Sequence, residues 1–500
     1  MSDPLKATER TTAFRGAILT VSMRWVDRLL GLISTMILAR LLVPEDFGLV
    51  AMAMVIVGLL DVLLDLGVGA ALIQNSRADA EDFHTAWTLR LLQATTVAIC
   101  LVICAPLVAD WYDDARVESI LRVVAITAFI GGFENIGTVS FQKNMEFGRD
   151  FRFFFFKRAI GVVFGIAAAL LLRSYWALVL GSLVTRLAGV GVSYRMSAFR
   201  PRISVARFSQ IWSFSQWNLV ASVGQYLNGG IGRFVIGKRE DATVLGAYSM
   251  GEEIAMMPTT ELLAPLGRVM FPVFAAAKHD PVEMLRVVRT ALAVQALVAI
   301  PAGIGLALVA EDAIPVLLGE NWATAVPFVQ IIGLASIATA LSHSSNYMLT
   351  ALGRIKTISA IAWARVSILL LLVLVIFPGS DAQGIAWSAL ATSYAGLIVL
   401  QVLSRRVVRG FGGREILRHV WRPLVSTAVM GAAVLAASKL LEGAAPAFRL
   451  LLETGVGAFT YAIGIIVLWR VAGSPDGAEN YLLQKLCPRK RVGSTIEPER

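Results

Sequence analysis

The sequence specifies an all-α polytopic membrane protein of about fourteen transmembrane helices, arranged as two six-helix lobes plus a C-terminal helix pair. Three observations predict this class. Hydrophobic residues make up 57% of the 500-residue chain and charged residues 16%, against roughly 25% charged in a soluble domain. Mean hydropathy is +0.70, so there is more apolar surface than a water-soluble globule can hide, and lipid must be part of the solvent. The apolar residues fall in runs of about 20, the length that crosses the hydrocarbon layer as a helix and too long for barrel strands.

Taken in order, the runs place spans at 16–41, 47–73, 84–109, 117–141, 153–172, 176–196 and 210–236, followed by 243–270, 284–309, 324–351, 357–377, 382–405, 420–441 and 449–470. The first has a basic approach (Lys6, Arg10, Arg15) but is too long for a signal-peptide h-region and lacks a small-residue cleavage site, so it reads as a span. Between the runs lie turn and interface residues, as in Val43-Pro44-Glu45-Asp46, Trp111-Tyr112-Asp113-Asp114 and Phe377-Pro378-Gly379-Ser380. The resulting organisation is an N-terminus over 1–15, a first lobe over 16–196, a linker over 197–209 and a second lobe over 210–405. A basic loop and final helix pair (406–470) and a basic tail (471–500) complete it.

Charge sets the expected orientation. Alternate connections carry clusters such as Lys143, Arg149, Arg152, Lys157 and Arg158, then Arg195, Arg200, Arg202 and Arg207, and later Arg405, Arg406, Arg409, Arg414, Arg418 and Arg422. Acids predominate on the other side, at Asp110, Asp113, Asp114, Glu311, Asp312 and Glu320. The positive-inside rule then puts both termini in the cytoplasm. The net charge of +10 belongs to this loop pattern and argues against nucleic-acid binding. Cys100 and Cys104 lie one helical turn apart in an apolar run with no His or carboxylate at ligand spacing, so neither a metal nor a cofactor is expected. No P-loop is present, so ATP is not the direct energy source. No connection is long enough for a folded domain, which counts against a membrane polymerase or glycosyltransferase.

A weak repeat links the two halves. Pro44-Glu45-Asp46-Phe47-Gly48-Leu49-Val50-Ala51-Met52 is echoed by Arg239-Glu240-Asp241-Ala242-Thr243-Val244-Leu245-Gly246-Ala247-Tyr248-Ser249-Met250, each an acidic turn, a glycine and a small-residue helix start. Parallel repeats of this kind place a substrate between lobes.

Four stretches then resemble a known group. They are Leu38-Ala39-Arg40-Leu41-Leu42-Val43-Pro44-Glu45-Asp46-Phe47-Gly48 and Leu64-Asp65-Leu66-Gly67-Val68-Gly69-Ala70-Ala71-Leu72-Ile73-Gln74, with Pro265-Leu266-Gly267-Arg268-Val269-Met270-Phe271-Pro272 and Leu318-Gly319-Glu320-Asn321-Trp322-Ala323-Thr324-Ala325. In this order and spacing they resemble the Wzx-type polysaccharide flippases of the MOP superfamily, which also holds MATE exporters and the lipid II flippase; the last two stretches resemble its colanic-acid-exporter-like branch. The resemblance implies transfer of an undecaprenyl-pyrophosphate-linked oligosaccharide from the cytoplasmic to the periplasmic leaflet of a bacterial inner membrane. It implies as partners that lipid-linked substrate, membrane lipids, and the polysaccharide polymerase and export machinery. A cation-coupled small-molecule exporter is the alternative of the same fold.

Ionisable residues within spans are energetically unfavourable and become functional candidates. Arg24, Asp27 and Arg28 lie in the first span, Asp61 and Asp65 in the second and Arg90 in the third. At 1.5 Å per residue, Arg24 and Asp65 both lie about 12 Å from the cytoplasmic end, Arg28 and Asp61 about 18 Å, and Arg90 about 9 Å. Arg24, Arg28 and Arg90 are therefore expected to receive the pyrophosphate, for which a planar guanidinium fork is suited. Asp27, Asp61 and Asp65 are expected to serve ion pairing or coupling; the structural alternative is a set of ion pairs holding the first three helices together. Glu252 and Glu253 precede Pro258, which is expected to break the eighth span into a site, or else one glutamate pairs locally with Arg233 or Lys238. Phe153 to Phe156 read as interfacial aromatics.

Overall fold

The computed structural model describes residues 26–65, 67–74, 78–208, 216–408 and 410–474, and among them every regular element is a helix. In chain order these are α1 (26–41 as described), α2 (Pro44–Leu64), α3 (Val68–Gln74), α4 (Ala80–Tyr112), α5 (Ala115–Gly132), α6 (Val139–Lys143), α7 (Phe147–Leu172) and α8 (Trp176–Met196). There follow α9 (Gln216–Arg239), α10 (Ala242–Ala276), α11 (Pro281–Leu317), α12 (Val326–Ala351), α13 (Ile355–Leu371), α14 (Ala382–Val407), α15 (Gly413–Leu440) and α16 (Pro446–Val471). Among the described residues ten helices are long and apolar enough to cross a membrane, or eleven if the bent pair α5 and α6 is one span. The chain is a multi-pass membrane protein. All fourteen expected segments overlap a helix, but α1, α9 and α10 are not among those that qualify as spans, so a count of fourteen is not established.

Two expected spans are not continuous. The second is divided, with α2 ending at Leu64 and α3 starting at Val68; the Asp65 carboxylate accepts from Gly67 N–H at 2.9 Å across the break. The fourth bends by 63° between α5 and α6. Broken backbone within an apolar segment survives only if its polar groups are satisfied internally. Here Asn135 N–H donates to Ser193 Oγ (3.0 Å), its side-chain oxygen accepts from Gly137 N–H (2.8 Å), and its Nδ2 donates to the Phe199 carbonyl (2.7 Å). By contrast, α10 runs unbroken through Pro258. A proline removes one donor from the ladder, and a single lost rung does not break a long helix.

The helix starts follow capping chemistry. Pro44 occupies the first turn of α2, and Asp46 accepts from Val43 N–H at 3.2 Å and from Tyr175 N–H at 2.7 Å. Asp79 and Asp82 form a reciprocal capping box on α4 (3.0 and 2.9 Å). Asp114 caps α5, and its hydrogen bonds from Arg116 hold its carboxyl below the usual carboxylate range.

The chain divides into two compact units. The first comprises the described residues up to Ile254, with Ala313–Ile332 and Arg354–Thr392. Within it α7 and α8 approach closely: a Cβ on Gly161 would lie 1.8 Å from the Thr185 side-chain oxygen Oγ1, and one on Gly181 3.2 Å from the Gly165 Cα. The starts of α2 and α10 meet in the same way, reciprocally. A Cβ on Gly48 would sit 1.7 Å from the Ala242 carbonyl oxygen, and one on Gly246 1.8 Å from that of Pro44. These are the two segments that repeat in sequence. Beside them Trp322, 0% exposed, donates to the Ala39 carbonyl at 2.8 Å and meets Phe47 edge-on at 5.1 Å.

The second unit comprises Ala255–Asp312, Gly333–Gly353 and the described residues from Ser393. A Cβ on Gly303 of α11 would lie 2.6 Å from the Gly333 carbonyl oxygen of α12. Tyr461 of α16 donates to the Leu297 carbonyl at 2.7 Å. Arg449 of α16 forks onto Asp312, with Nε to Oδ2 at 2.7 Å, and lies 3.9 Å from Glu453. The outward faces stay apolar, with Leu440, Leu451 and Phe459 exposed, as lipid-facing helices require.

Candidate functional site

A cavity of about 430 Å³ opens inside the first unit, lined by α2, α3, α4, α5 and α8. Met54, Val57, Val97, Val124 and Ile136 supply apolar wall; Asp61, Asp65, Arg90, Gln93, Thr127, Ser182 and Arg186 supply the polar groups. Next to it, the buried Glu134 (5% exposed) takes two cations at once: Arg90 Nη2 at 3.3 Å from Oε1 and Lys157 Nζ at 2.5 Å from Oε2.

Local sequence explains how these groups reach one place. The bend after α5 turns Glu134 inward, because Gly131-Gly132-Phe133 ends that helix and Asn135 caps the next turn. Gly189 of α8 leaves the space: a Cβ there would lie 2.8 Å from both Glu134 Oε2 and Lys157 Cε. Gly131 packs beside Arg186, whose Cδ would be in ordinary contact, 3.5 Å away, with an added Cβ. Lys157 also lies over the Phe153 ring at 5.5 Å. Phe153 is thus a buried partner of the lysine, 2% exposed, whereas Phe154 and Phe156 are exposed as expected of interfacial aromatics.

The cluster contains three cations (Arg90, Lys157, Arg186) and three acids (Glu134, Asp61, Asp65). Glu134 is engaged by two of the cations, and Arg186 lines the cavity with Asp61 and Asp65. Guanidinium groups bordering a cavity with apolar walls can take a phosphate oxygen anion, and the acids offer a competing partner for each of them.

The expected site residues are distributed as follows. Arg90, Asp61 and Asp65 line this cavity together. Arg28 is half-buried and outside the lining; Arg24 lies outside the described residues. Asp27 is exposed, 3.7 Å from Arg158 of α7. Glu252 pairs with Arg233 at 3.0 Å, the local partner expected from sequence, and Glu253 is exposed. Lys238 instead pairs with Asp113 at 2.7 Å. The Arg268 side chain lies outside the described residues. Glu134, Lys157 and Arg186 were not expected as site residues. A single acid between Gly-Gly-Phe and Asn in an apolar run was the signal available for Glu134.

Helices broken inside an apolar bundle and a charged cavity within it define a polytopic membrane transporter class. The solved structures agree on that fold. The chain is similar to the lipid II flippase MurJ in an inward closed conformation (TM-score 0.73, 13% identity, 92% of this chain and 99% of that one). It is also similar to an inward-facing multidrug resistance MATE transporter of the MOP superfamily (TM-score 0.59, 13% identity, 77% and 95%).

The chain belongs to the polysaccharide biosynthesis protein family, whose model matches residues 37–327. Among its relatives are the lipopolysaccharide biosynthesis protein WzxC of Escherichia coli (22% identical, 79% of this chain and 81% of the relative) and the teichuronic acid biosynthesis protein TuaB of Bacillus subtilis (23%, 80% and 84%). The succinoglycan biosynthesis transport protein ExoT of Rhizobium meliloti is 26% identical over 60% of this chain and 61% of its own.

Proposed function

We propose that this protein is a transporter that flips an undecaprenyl-pyrophosphate-linked oligosaccharide across the bacterial inner membrane during polysaccharide biosynthesis. The observation that carries this is the cavity where Arg90 and Arg186 border an apolar wall, in a chain of the polysaccharide biosynthesis family. A pyrophosphate needs guanidinium forks, and a polyprenyl tail needs apolar surface. The names of the relatives point the same way: two are biosynthesis proteins for glycans and one a transport protein for such a glycan.

The proposed mechanism is alternating access of two six-helix lobes, 16–196 and 210–405, with both termini cytoplasmic. Arg90 and Arg186 hold the pyrophosphate, with Lys157 beside them; Arg24 and Arg28 are the further arginines that the sequence offers for it. The site is formally neutral with every group ionised, so an entering pyrophosphate diester brings two excess negative charges, and proton uptake by Asp61 or Asp65 offsets one of them. Substrate binding is thereby linked to the proton gradient. The polysaccharide polymerase and export machinery are the proposed protein partners.

A cation-coupled exporter of small molecules is the second reading, favoured by the MATE-like fold. Against it, that likeness covers 77% of this chain, whereas the flippase likeness covers 92%. The deciding experiment is reconstitution in vesicles with a fluorescent lipid-linked oligosaccharide and a probe of leaflet accessibility. Transfer that needs the protein and is lost in Arg90→Ala supports the flippase; no transfer, with cation-driven efflux of small amphiphiles, supports the exporter.

A further inference from the structure

A second cluster of buried charge lies in the other unit, on helices that contribute nothing to the cavity around Arg90. It joins Asp312, near the end of α11, to Arg449 and Glu453, near the start of α16. Asp312 is 5% exposed and Glu453 2%. Helix α16 has 26 residues, about 39 Å at 1.5 Å per residue against ~30 Å of hydrocarbon. Glu453 comes seven positions after its first residue, Pro446, about 10 Å along it and so below headgroup level.

Two acids here meet one cation. Arg449 gives Nε, at 2.7 Å, to one Asp312 oxygen and Nη2 to the other. Its Nε lies 3.9 Å from Glu453 Oε1, and that oxygen accepts no hydrogen bond among the described residues. The other groups facing Glu453 bring no cation: the Asp312 carboxyl on α11 and the Ser438 hydroxyl on α15. Glu311 beside Asp312, and Lys439 and Glu442 around the end of α15, are exposed.

A carboxylate taken out of water needs a cation or a proton. One guanidinium neutralises one of these two acids, so with both ionised the cluster keeps a negative charge inside the bundle. Two carboxyls in that position do not both ionise readily, and the proton that relieves them belongs to the pair. A metal ion fits poorly in its place. Arg449 engages both Asp312 oxygens, and no group of three or more metal-ligating side chains occurs among the described residues. A proton needs only the line between two oxygens.

We propose that Asp312 and Glu453 bind one proton between them, in a site that holds α16 against α11. With the proton in place, Arg449 balances the one remaining negative charge and the cluster is neutral. Without it, two like charges face each other at the joint and α16 loosens from α11. The site is independent of which substrate the first cavity takes.

The test is infrared spectroscopy of the full chain reconstituted in vesicles, which reads the C=O stretch of a protonated carboxyl. Spectra at neutral pH are compared between wild type and Glu453→Gln, whose amide keeps the shape of the protonated acid. The wild-type-minus-variant spectrum contains a carboxylic-acid band that shifts in deuterium oxide, the loss of one protonated carboxyl. Asp312→Asn loses the same band, because Arg449 then neutralises Glu453 and no proton is needed; this variant serves if Glu453→Gln does not fold. The loss recurs when Glu453→Gln is made in the Asp61→Asn/Asp65→Asn background, which separates this proton from any held in the first cavity. A triad with both carboxylates ionised predicts no carboxylic-acid band in either difference spectrum, and that result overturns the proposal. So does a band present in wild type but absent from the Asp61→Asn/Asp65→Asn comparison. A band abolished when sodium replaces potassium also overturns it, since the ligand would then be a metal ion.

Discussion

Glu134 and Arg186 decide at the residue scale how the first cavity behaves. Glu134 sits between Arg90 and Lys157 with 5% of its surface exposed. Removing one partner from a buried ion pair leaves the other charge uncompensated, which destabilises by about 3–5 kcal/mol. Glu134→Ala is therefore expected to lower the unfolding temperature in detergent and the abundance in the membrane; unchanged values would show that water already solvates the two cations. Arg186 borders the cavity without a hydrogen-bonded carboxylate in that lining, so its loss is expected to act on transport. Arg186→Ala should abolish glycan export at normal abundance, and Arg186→Lys should retain part of it, since lysine keeps the charge and loses the fork. Equal losses of abundance and export in both variants would make the residue structural. The carboxylates carry a separate prediction. Asp61→Asn/Asp65→Asn should still move substrate down its own gradient while losing the response to an imposed proton gradient, measured in reconstituted vesicles.

At the scale of elements, the contact between α2 and α10 is the joint most sensitive to a single atom. Each helix presents a glycine to the other's first carbonyl, and a Cβ there would come within 1.7 to 1.8 Å of an oxygen. No side-chain adjustment relieves a clash with backbone, so Gly48→Ala or Gly246→Ala must push the two helix starts apart. On the alternating-access reading this contact closes one side of the transport path, and either alanine should bias the protein towards the state open there. Cysteine labelling near Thr243, in a background lacking Cys100, Cys104 and Cys487, is expected to speed up in the alanine variants. Unchanged labelling would mean that the joint never opens. Trp322 buttresses the same joint, and Trp322→Ala should destabilise by about 3–5 kcal/mol, the usual effect of emptying a large buried site.

For the whole molecule, the question is sidedness. Arginine and lysine crowd one set of connections, so reporter fusions at residue 1, residue 500 and the 405–422 connection are all expected to score as cytoplasmic. A periplasmic score at any of the three would reverse the direction in which the first cavity meets its substrate.

Much of this was legible in the chain alone. Each hydropathy run overlaps a helix, and ten of the described helices are long and apolar enough to cross a membrane, or eleven with the bent pair, because the ~30 Å hydrocarbon layer imposes a minimum length on every span. Charge cost likewise singled out Asp61, Asp65 and Arg90, since ionisable groups in apolar runs need a reason to be there. The four resembling stretches led to the family. Packing around the helix axes decided the rest. Depth arithmetic set Arg28 level with Asp61, but height along a helix says nothing of azimuth, and it is Arg186 that lines the cavity with Asp61. Glu134 and Lys157 are 23 positions apart, and only a 63° bend and the space left by Gly189 bring their charges together. The repeat could be read from sequence, but not that its two copies pack against each other. That depends on two glycines whose missing side chains matter only once the opposite backbone is in place.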